Sequence, residues 1–148
     1  MSDPALAGTL ASAGAAAGPP LLEAVGLTVL LEVNGARRAV LRDVSLALRP
    51  GEAVGLVGES GSGKSMTARA VGRLLPPGAE VHGSIRFGGT EIGQLAGADL
   101  RRYRSQLAMI FQDPRAHINP VRRIGDFMTE ALRTNHEVPK AQARRRAV

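Results

Sequence analysis

Apolar residues occupy every second position over residues 27–33 and again over residues 44–48. Such alternation is typical of antiparallel strands that have one face in a core. Between the two stretches, Asn34-Gly35 is a strong signal for a tight hairpin turn, and Arg49-Pro50-Gly51 ends the second stretch with another turn. The pattern therefore predicts two antiparallel strands early in the chain.

Two short segments, residues 53–57 and 107–111, carry no polar side chain. Runs of this kind are typical of strands that are buried on both faces, as in the parallel sheet of an α/β protein. After the first run, residues 67–74 have apolar side chains at helical spacing, and Pro76-Pro77 stops that helix. A strand, a loop and a helix in this order predict a β-loop-α unit.

Further elements follow from the same periodicities. Residues 84–87 and 90–92 flank Gly88-Gly89 and predict a small hairpin. Helices are expected over residues 100–106, over residues 124–132 and over residues 140–148. The second of these has an amphipathic face formed by Ile124, Phe127, Met128, Ala131 and Leu132.

The first twenty residues differ in composition, because Ala, Gly and Pro fill thirteen of these positions. Such a segment buries too little apolar surface to offset the entropy of ordering, so residues 1–20 are expected to form a disordered arm. A signal peptide is disfavoured because no Lys or Arg precedes Arg37, and prolines break the run that would span a membrane. Residues 21–148 are expected to form one cytosolic α/β domain.

Composition removes several classes of function. The 148 residues include no cysteine, which excludes disulfide scaffolds, thiol nucleophiles and cysteine-based metal sites, and the three histidines are far apart in sequence. Aromatic residues make up only 3% of the chain, so base-stacking nucleic-acid surfaces are disfavoured. The net charge of +6 comes from arginine clusters in separate segments, and nucleic acid is therefore not expected as the main partner.

One motif carries recognisable chemistry. Between the predicted strand and helix, the chain fits G-x-x-x-x-G-K-[ST], the P-loop that holds phosphate groups. Its glycines permit close backbone approach, its amides and the helix N-terminus attract anions, Lys64 places a cation on the phosphates, and Ser65 can bind Mg²⁺. A flexible Gly/Ser linker is the alternative, but the flanking strand and helix favour a nucleotide site. Its residues are Gly58, Glu59, Ser60, Gly61, Ser62, Gly63, Lys64 and Ser65.

Together with this loop, two further segments resemble the ATP-binding subunits of ABC transporters. They are the hairpin beginning Gly83-Ser-Ile-Arg-Phe and the segment Met109-Ile-Phe-Gln-Asp-Pro114. Asn119-Pro120-Val121 and Ile124-Gly125-Asp126 look like the branch that imports dipeptides, oligopeptides or nickel. The resemblance covers nearly everything after Leu21 and implies a P-loop NTPase fold, with a RecA-like core and an antiparallel β subdomain.

The resemblance also implies roles for residues outside the loop. Gln112 matches the Q-loop glutamine, which reaches Mg²⁺ and the attacking water of bound ATP. The stretch after it matches the surface that touches the transmembrane permease subunits, at Asp113, Pro114, Arg115, Ala116, His117, Ile118, Asn119 and Pro120. Further implied partners are a second ATP-binding subunit and, indirectly, a substrate-binding protein, at the cytoplasmic face of the inner membrane.

Residues 1–148 depart from the family pattern in two ways. Leu31 stands where the family has an aromatic that stacks on adenine. The family's signature segment, its second acidic motif with the catalytic Glu, and its switch histidine are not found in residues 121–148. The chain is therefore expected to be a truncated, N-terminal part of the domain, which binds Mg-ATP but hydrolyses it poorly.

Other interpretations stay open. The chain could be a non-catalytic nucleotide-binding fragment that needs a complementing polypeptide, or another P-loop enzyme such as a small-molecule kinase. Neither Glu59 nor Asp113 is expected to act as a catalytic base, because Glu59 is a variable loop position and Asp113 precedes a proline. His117 is expected to be a surface contact. No catalytic residue is assigned.

Overall fold

The computed structural model describes residues 9–13, 18–113 and 118–147. The chain divides into an N-terminal unit, Met1–Leu95, and a C-terminal unit, Ala96–Val148. The strands are β1 (Thr9–Ala13), β2 (Leu22–Val33), β3 (Ala36–Leu48), β4 (Ala53–Val57), β5 (Glu80–Phe87) and β6 (Thr90–Glu91). The helices are α1 (Lys64–Val71), α2 (Gly97–Ser105), α3 (Ile124–Asn135) and α4 (Lys140–Arg146).

A four-stranded antiparallel sheet with the order β3-β2-β5-β6 forms most of the N-terminal unit. The predicted hairpin is confirmed: Asn34 and Gly35 join β2 to β3 with left-handed backbones, at φ +53° and +73°. The predicted small hairpin is also present, as β5 and β6. Buried side chains on this sheet include Leu27, Val29 and Ile85.

A bulge in β2 changes which residues face the core. The buried positions are Ala24 and then Leu27 and Val29, so the alternation shifts by one residue at Gly26. On β5, Gly83 faces this bulge so closely that a Cβ would lie 2.5 Å from the Gly26 carbonyl oxygen. A side chain larger than hydrogen therefore cannot occupy this position without moving one strand.

Strand β4 has the predicted bounds but not the predicted surroundings. It pairs antiparallel with β1, and among the described residues no other strand pairs with it. Its residues alternate between exposed and half-buried, and Val57 is 64% exposed. The prediction of a strand covered on both faces in a parallel sheet is therefore wrong for this structure, because an apolar run alone does not supply the neighbours that bury it.

The N-terminal arm also differs from its prediction at five positions. Residues 9–13 form β1, with Thr9 opposite Val57 and Ala13 opposite Ala53. The remaining residues of the expected disordered arm before Gly18 lie outside the described part. Composition predicted disorder because it takes no account of backbone hydrogen bonds, which β4 provides to this segment.

The helix after the P-loop begins earlier and ends earlier than its apolar spacing predicts. Helix α1 covers Lys64–Val71 and buries Thr67 and Ala70, whereas Leu74 lies beyond its end and is exposed. Its last turn closes through hydrogen bonds from the amides of Gly72, Arg73 and Leu74, so the chain has left the helix before Pro76.

The C-terminal unit contains the three remaining helices, of which α3 packs against α4 and α2. The buried residues described in this unit are Thr129 on α3, Ala143 on α4 and Tyr103 on α2. On α3 the apolar side chains of Ile124, Phe127 and Met128 are exposed. The amphipathic helix is confirmed, but Asp126, on its polar side, is the residue that pairs with Lys140 and Arg144 of α4.

No helix among the described residues is both long and apolar enough to cross a membrane.

Candidate functional site

The P-loop joins the end of β4 to the start of α1. Val57 ends the strand and Lys64 is the first residue of the helix, so Gly58 to Gly63 form a six-residue connection between them. The predicted order of strand, loop and helix is therefore confirmed at this place. All eight predicted phosphate-site residues lie in this connection or in the first turn of α1.

The side chain of Lys64 turns back into its own loop. Its Nζ donates to the carbonyl oxygens of Gly58 at 2.7 Å and Glu59 at 2.6 Å, and to Ser62 Oγ at 3.2 Å. The Ser62 amide closes a turn on the Glu59 carbonyl at 3.2 Å. The ammonium therefore holds the loop in a closed ring and places a positive charge within it.

The N-terminal end of α1 is open to an anion. Gly63 is its N-cap, no side chain caps the helix, and its first turn contains no acidic residue. The Thr67 amide is the first to donate to the Gly63 carbonyl, at 2.8 Å, so the amides of Lys64, Ser65 and Met66 have no acceptor within the helix. Amides at this position and the helix dipole favour a bound phosphate.

Two loop glycines lie where a side chain would collide with neighbouring protein atoms. Gly63 has φ +88°, and a Cβ there would lie 2.5 Å from Leu41 Cδ2. A Cβ on Gly58 would lie 2.7 Å from Ser62 Oγ, although its backbone is not left-handed. Glycine is therefore favoured at position 63 by both conformation and close packing, whereas a side chain at position 58 would displace the Ser62 hydroxyl. The uncapped start of α1 and the Lys64 ammonium are the features that fit a phosphate group.

Ser65 is the residue of the P-loop that the motif predicts as a ligand of Mg²⁺. Ser65 is exposed in the first turn of α1, where its hydroxyl is accessible. No cluster of three His, Cys, Asp or Glu side chains that could hold a metal occurs in the described part of the chain. A single hydroxyl suits Mg²⁺ that is held chiefly by phosphate oxygens and water, which is the usual arrangement for this ion.

Glu59 and Ser60 are exposed in the loop, as expected for variable positions. Glu59 contributes its backbone carbonyl to Lys64, and this contact does not depend on its carboxylate.

Gln112 lies in the C-terminal unit and is exposed, in a segment without regular secondary structure. The buried strand predicted just before it, over residues 107–111, is wrong: this segment is not a strand, and Ile110 is 93% exposed. An apolar run becomes a strand only where another strand pairs with it, and none of the described strands does so.

The predicted permease-contact stretch is described at both ends. Asp113 is exposed, whereas Pro114, Arg115, Ala116 and His117 lie outside the described residues. Asn119 Oδ1 accepts from the Val121 amide at 2.9 Å, and its carbonyl accepts from the Arg122 amide at 3.1 Å. Together with the neighbouring Ile118 and Pro120, this residue forms an ordered turn immediately before α3.

Two polar clusters were not predicted from the sequence. In the N-terminal unit, burial alone would raise the pKa of the Glu91 carboxyl, but hydrogen bonds from Ser84 and from the amides of Gly93 and Ile85 hold it below its usual range. In the C-terminal unit, the Lys140 ammonium, 3.4 Å from Asp126 Oδ1, lowers the pKa of Asp126. Sequence periodicity gives no signal for either cluster, because the contacts depend on the β5–β6 hairpin and on the packing of α3 against α4.

The family model described as ABC transporter matches residues 41–147. The chain belongs to the ABC transporter family. The match covers the P-loop, Gln112 and the segment beyond it, and so confirms the predicted α/β P-loop NTPase fold class.

The chain is also similar to named relatives. It is 44% identical over 131 residues to the oligopeptide transport ATP-binding protein OppD of Mycobacterium tuberculosis, covering 87% of this chain and 21% of the relative. It is 42% identical to a peptide import ATP-binding protein of Brucella abortus, covering 87% and 40%. Against OppD of Bacillus subtilis the identity is 37%, covering 86% and 37%. The chain spans between about a fifth and two fifths of the length of these curated relatives.

Proposed function

We propose that this chain binds Mg-ATP as part of the ATP-binding component of an ABC importer of peptides. The observation that carries the proposal is the P-loop itself, in which the Lys64 ammonium and the uncapped start of α1 converge on one loop. The names of the relatives, which specify oligopeptide transport and peptide import, support the choice of cargo.

Each group has a role in this proposal. The loop amides and Lys64 bind the β and γ phosphates, and the Ser65 hydroxyl binds the Mg²⁺ that bridges them. Gln112 contributes a further oxygen to Mg²⁺, as the family resemblance implies.

Calorimetry with Mg-ATP tests the nucleotide site. The chain has two lysines, which makes Lys140→Ala a matched control for Lys64→Ala, since each removes one ammonium. Losing a charge-assisted hydrogen bond to phosphate costs about 1.5–3 kcal/mol, so we expect Lys64→Ala to weaken ATP binding by about tenfold to a hundredfold. Lys140→Ala should bind like the unaltered chain. Equal affinities for all three would contradict the proposed site.

The implied partners are the transmembrane permease subunits, contacted by residues 113–120, together with a second ATP-binding subunit and, indirectly, a substrate-binding protein. The location is then the cytoplasmic face of the inner membrane. Because the chain has no cysteine, a single introduced thiol gives a unique crosslinking position.

We expect Pro120→Cys to crosslink to the permease subunits of a peptide importer when both are present in membranes. Pro120 is exposed in the turn before α3, and Ala98→Cys, at an exposed position of α2, is the control. The crosslinked species is identified by mass spectrometry of the shifted band. A permease crosslink from Ala98→Cys alone would contradict the proposed contact.

A further inference from the structure

Arg73 has a backbone conformation that usually belongs to glycine. Helix α1 ends in a Schellman motif, in which the Leu74 amide donates to the Arg69 carbonyl at 2.8 Å and the Arg73 amide donates to the Ala70 carbonyl at 3.0 Å. Arg73 occupies the left-handed position of this motif, with φ +56°. A Cβ is crowded in this conformation, so a residue other than glycine needs compensating contacts.

The side chain of Arg73 provides such contacts. Its Nη1 donates to the Gly93 carbonyl, and its Nη2 donates to the Leu95 carbonyl at 3.3 Å. The planar guanidinium thus bridges two carbonyls at once, a geometry that a lysine ammonium on a flexible stem does not reproduce. The contact joins the end of the phosphate-binding helix to residues that follow it by about twenty positions.

A cavity lies beside this bridge. A cavity of about 620 Å³ has a lining that includes Ala70 and Leu75 near the end of α1, and Val81 and Ile85 on β5. Arg73 and Gly93 also line this cavity, and the hydrogen bond between them ties the end of α1 to the segment after β6.

Gly93 is held from its other side as well. Its amide donates to Glu91 Oε1 at 3.1 Å, while the same carboxylate accepts from the Ile85 amide and from Ser84. The residue is therefore fixed between the β5–β6 hairpin through its amide and helix α1 through its carbonyl. Residues 93–95 then lead directly into Ala96, where the C-terminal unit begins.

We propose that Arg73 is a positioning residue that couples nucleotide binding at the start of α1 to the order of residues 93–95. The inference rests on the proposed function, because the ligand that orders the helix is Mg-ATP in the P-loop. Ordering of α1 reduces the freedom of its last turn, and the guanidinium transfers this restraint to the carbonyls of Gly93 and Leu95.

Hydrogen–deuterium exchange of the full chain, with and without Mg-ATP, tests the proposal. Arg73→Gly removes the bridge and accepts the left-handed backbone, so the helix end is retained. Arg69→Ala is the matched control, because it removes an exposed arginine from the same helix. We expect Mg-ATP to slow exchange in the P-loop and in residues 93–95 of the unaltered chain and of Arg69→Ala. In Arg73→Gly, the P-loop should still slow, whereas the slowing at 93–95 should fall at least about fivefold.

The outcomes separate this inference from the proposed function. If the P-loop of the unaltered chain does not respond to Mg-ATP, the proposed function fails and the coupling fails with it. If the P-loop responds and residues 93–95 slow equally in Arg73→Gly, only the coupling is overturned.

Arg73→Lys decides the matter if circular dichroism shows that Arg73→Gly does not fold. It keeps the charge but loses the two-carbonyl bridge, and we expect it to lose the response at residues 93–95. Faster exchange there without nucleotide, combined with an unchanged response to Mg-ATP, would show a purely structural role and overturn the proposal.

Discussion

Gly61 and Gly63 share a left-handed backbone in the P-loop, with φ +84° and +88°, but their surroundings differ. A Cβ on Gly61 would meet nothing within 4 Å, whereas one on Gly63 would lie 2.5 Å from Leu41 Cδ2. Leu41 is buried on β3, so it cannot move away without disturbing the core. Replacing each glycine in turn therefore distinguishes the free-energy cost of the left-handed backbone from the cost of close packing.

We expect Gly61→Ala to lower the free energy of unfolding by about 1–2 kcal/mol, the cost of a left-handed residue with a Cβ. Gly63→Ala should cost about 2–5 kcal/mol, because overpacking against Leu41 adds about 1–3 kcal/mol. Urea denaturation followed by circular dichroism measures both variants. A similar loss of unfolding free energy in the two variants would show that Leu41 moves aside at little cost.

The sequence places the P-loop motif correctly between a strand and a helix, because the motif and the periodicities on either side of it are local signals. It does not reveal that Lys64 donates to its own loop carbonyls, since those contacts depend on the side-chain conformation. The left-handed conformation of Arg73 could not be predicted either, because glycine is expected at such a position and Gly72 directly precedes it. Arg73 can take this conformation because its side chain donates to carbonyls about twenty positions away in sequence.

Helices α3 and α4 are joined by charge. Asp126 Oδ1 in the first turn of α3 lies 3.4 Å from Lys140 Nζ and 3.8 Å from Arg144 Nη2, both on α4. The neighbouring Lys140 ammonium, and to a smaller extent the charge of Arg144, lower the pKa of Asp126 against the opposing effect of desolvation. A carboxyl with a lowered pKa stabilises the folded state while it is ionised.

This arrangement predicts a pH dependence with a definite sign. The stabilisation by Asp126 should be complete above its ordinary pKa of about 4 and should be lost as pH falls through the lower folded value. Asp126→Asn should therefore lower the melting temperature at pH 7 and make little difference near pH 2. Asp99→Asn, which removes a carboxylate from α2, is the control. A constant difference between the unaltered chain and Asp126→Asn over this range would exclude the ionic contribution.

Elements with local signals were predicted well, and elements that need distant neighbours were not. Asn34-Gly35 and the two-residue alternation specify the β2–β3 hairpin without further information. The apolar run at residues 107–111 has no such turn, and its interpretation as a strand depended on neighbours that the described strands do not provide. In α3, periodicity located the apolar side but not the side that packs, because the salt bridges of Asp126 place the polar side against α4.

Charge is divided unevenly along the chain. Residues 1–95 contain eight basic and eight acidic residues, whereas residues 96–148 contain eleven basic and five acidic residues. The net charge of +6 therefore belongs to the C-terminal unit, and the unit with the P-loop is neutral overall. Attraction of a triphosphate to this neutral unit must come from Lys64 and the local amide dipoles, and not from the overall charge.

The two sheets of the N-terminal unit should differ in local stability. The sheet that contains β2 and β5 has four strands and buries Leu27, Val29 and Ile85, whereas β4 pairs only with β1 among the described strands. A two-stranded ribbon is marginal in water, so local opening should expose the β4 amides more often. We expect hydrogen exchange under native conditions to be at least about tenfold faster in β4 than in β2. Mg-ATP should slow β4 more than β2, because β4 leads into the P-loop, and β4 amides as slow as those of β2 without nucleotide would contradict this ranking.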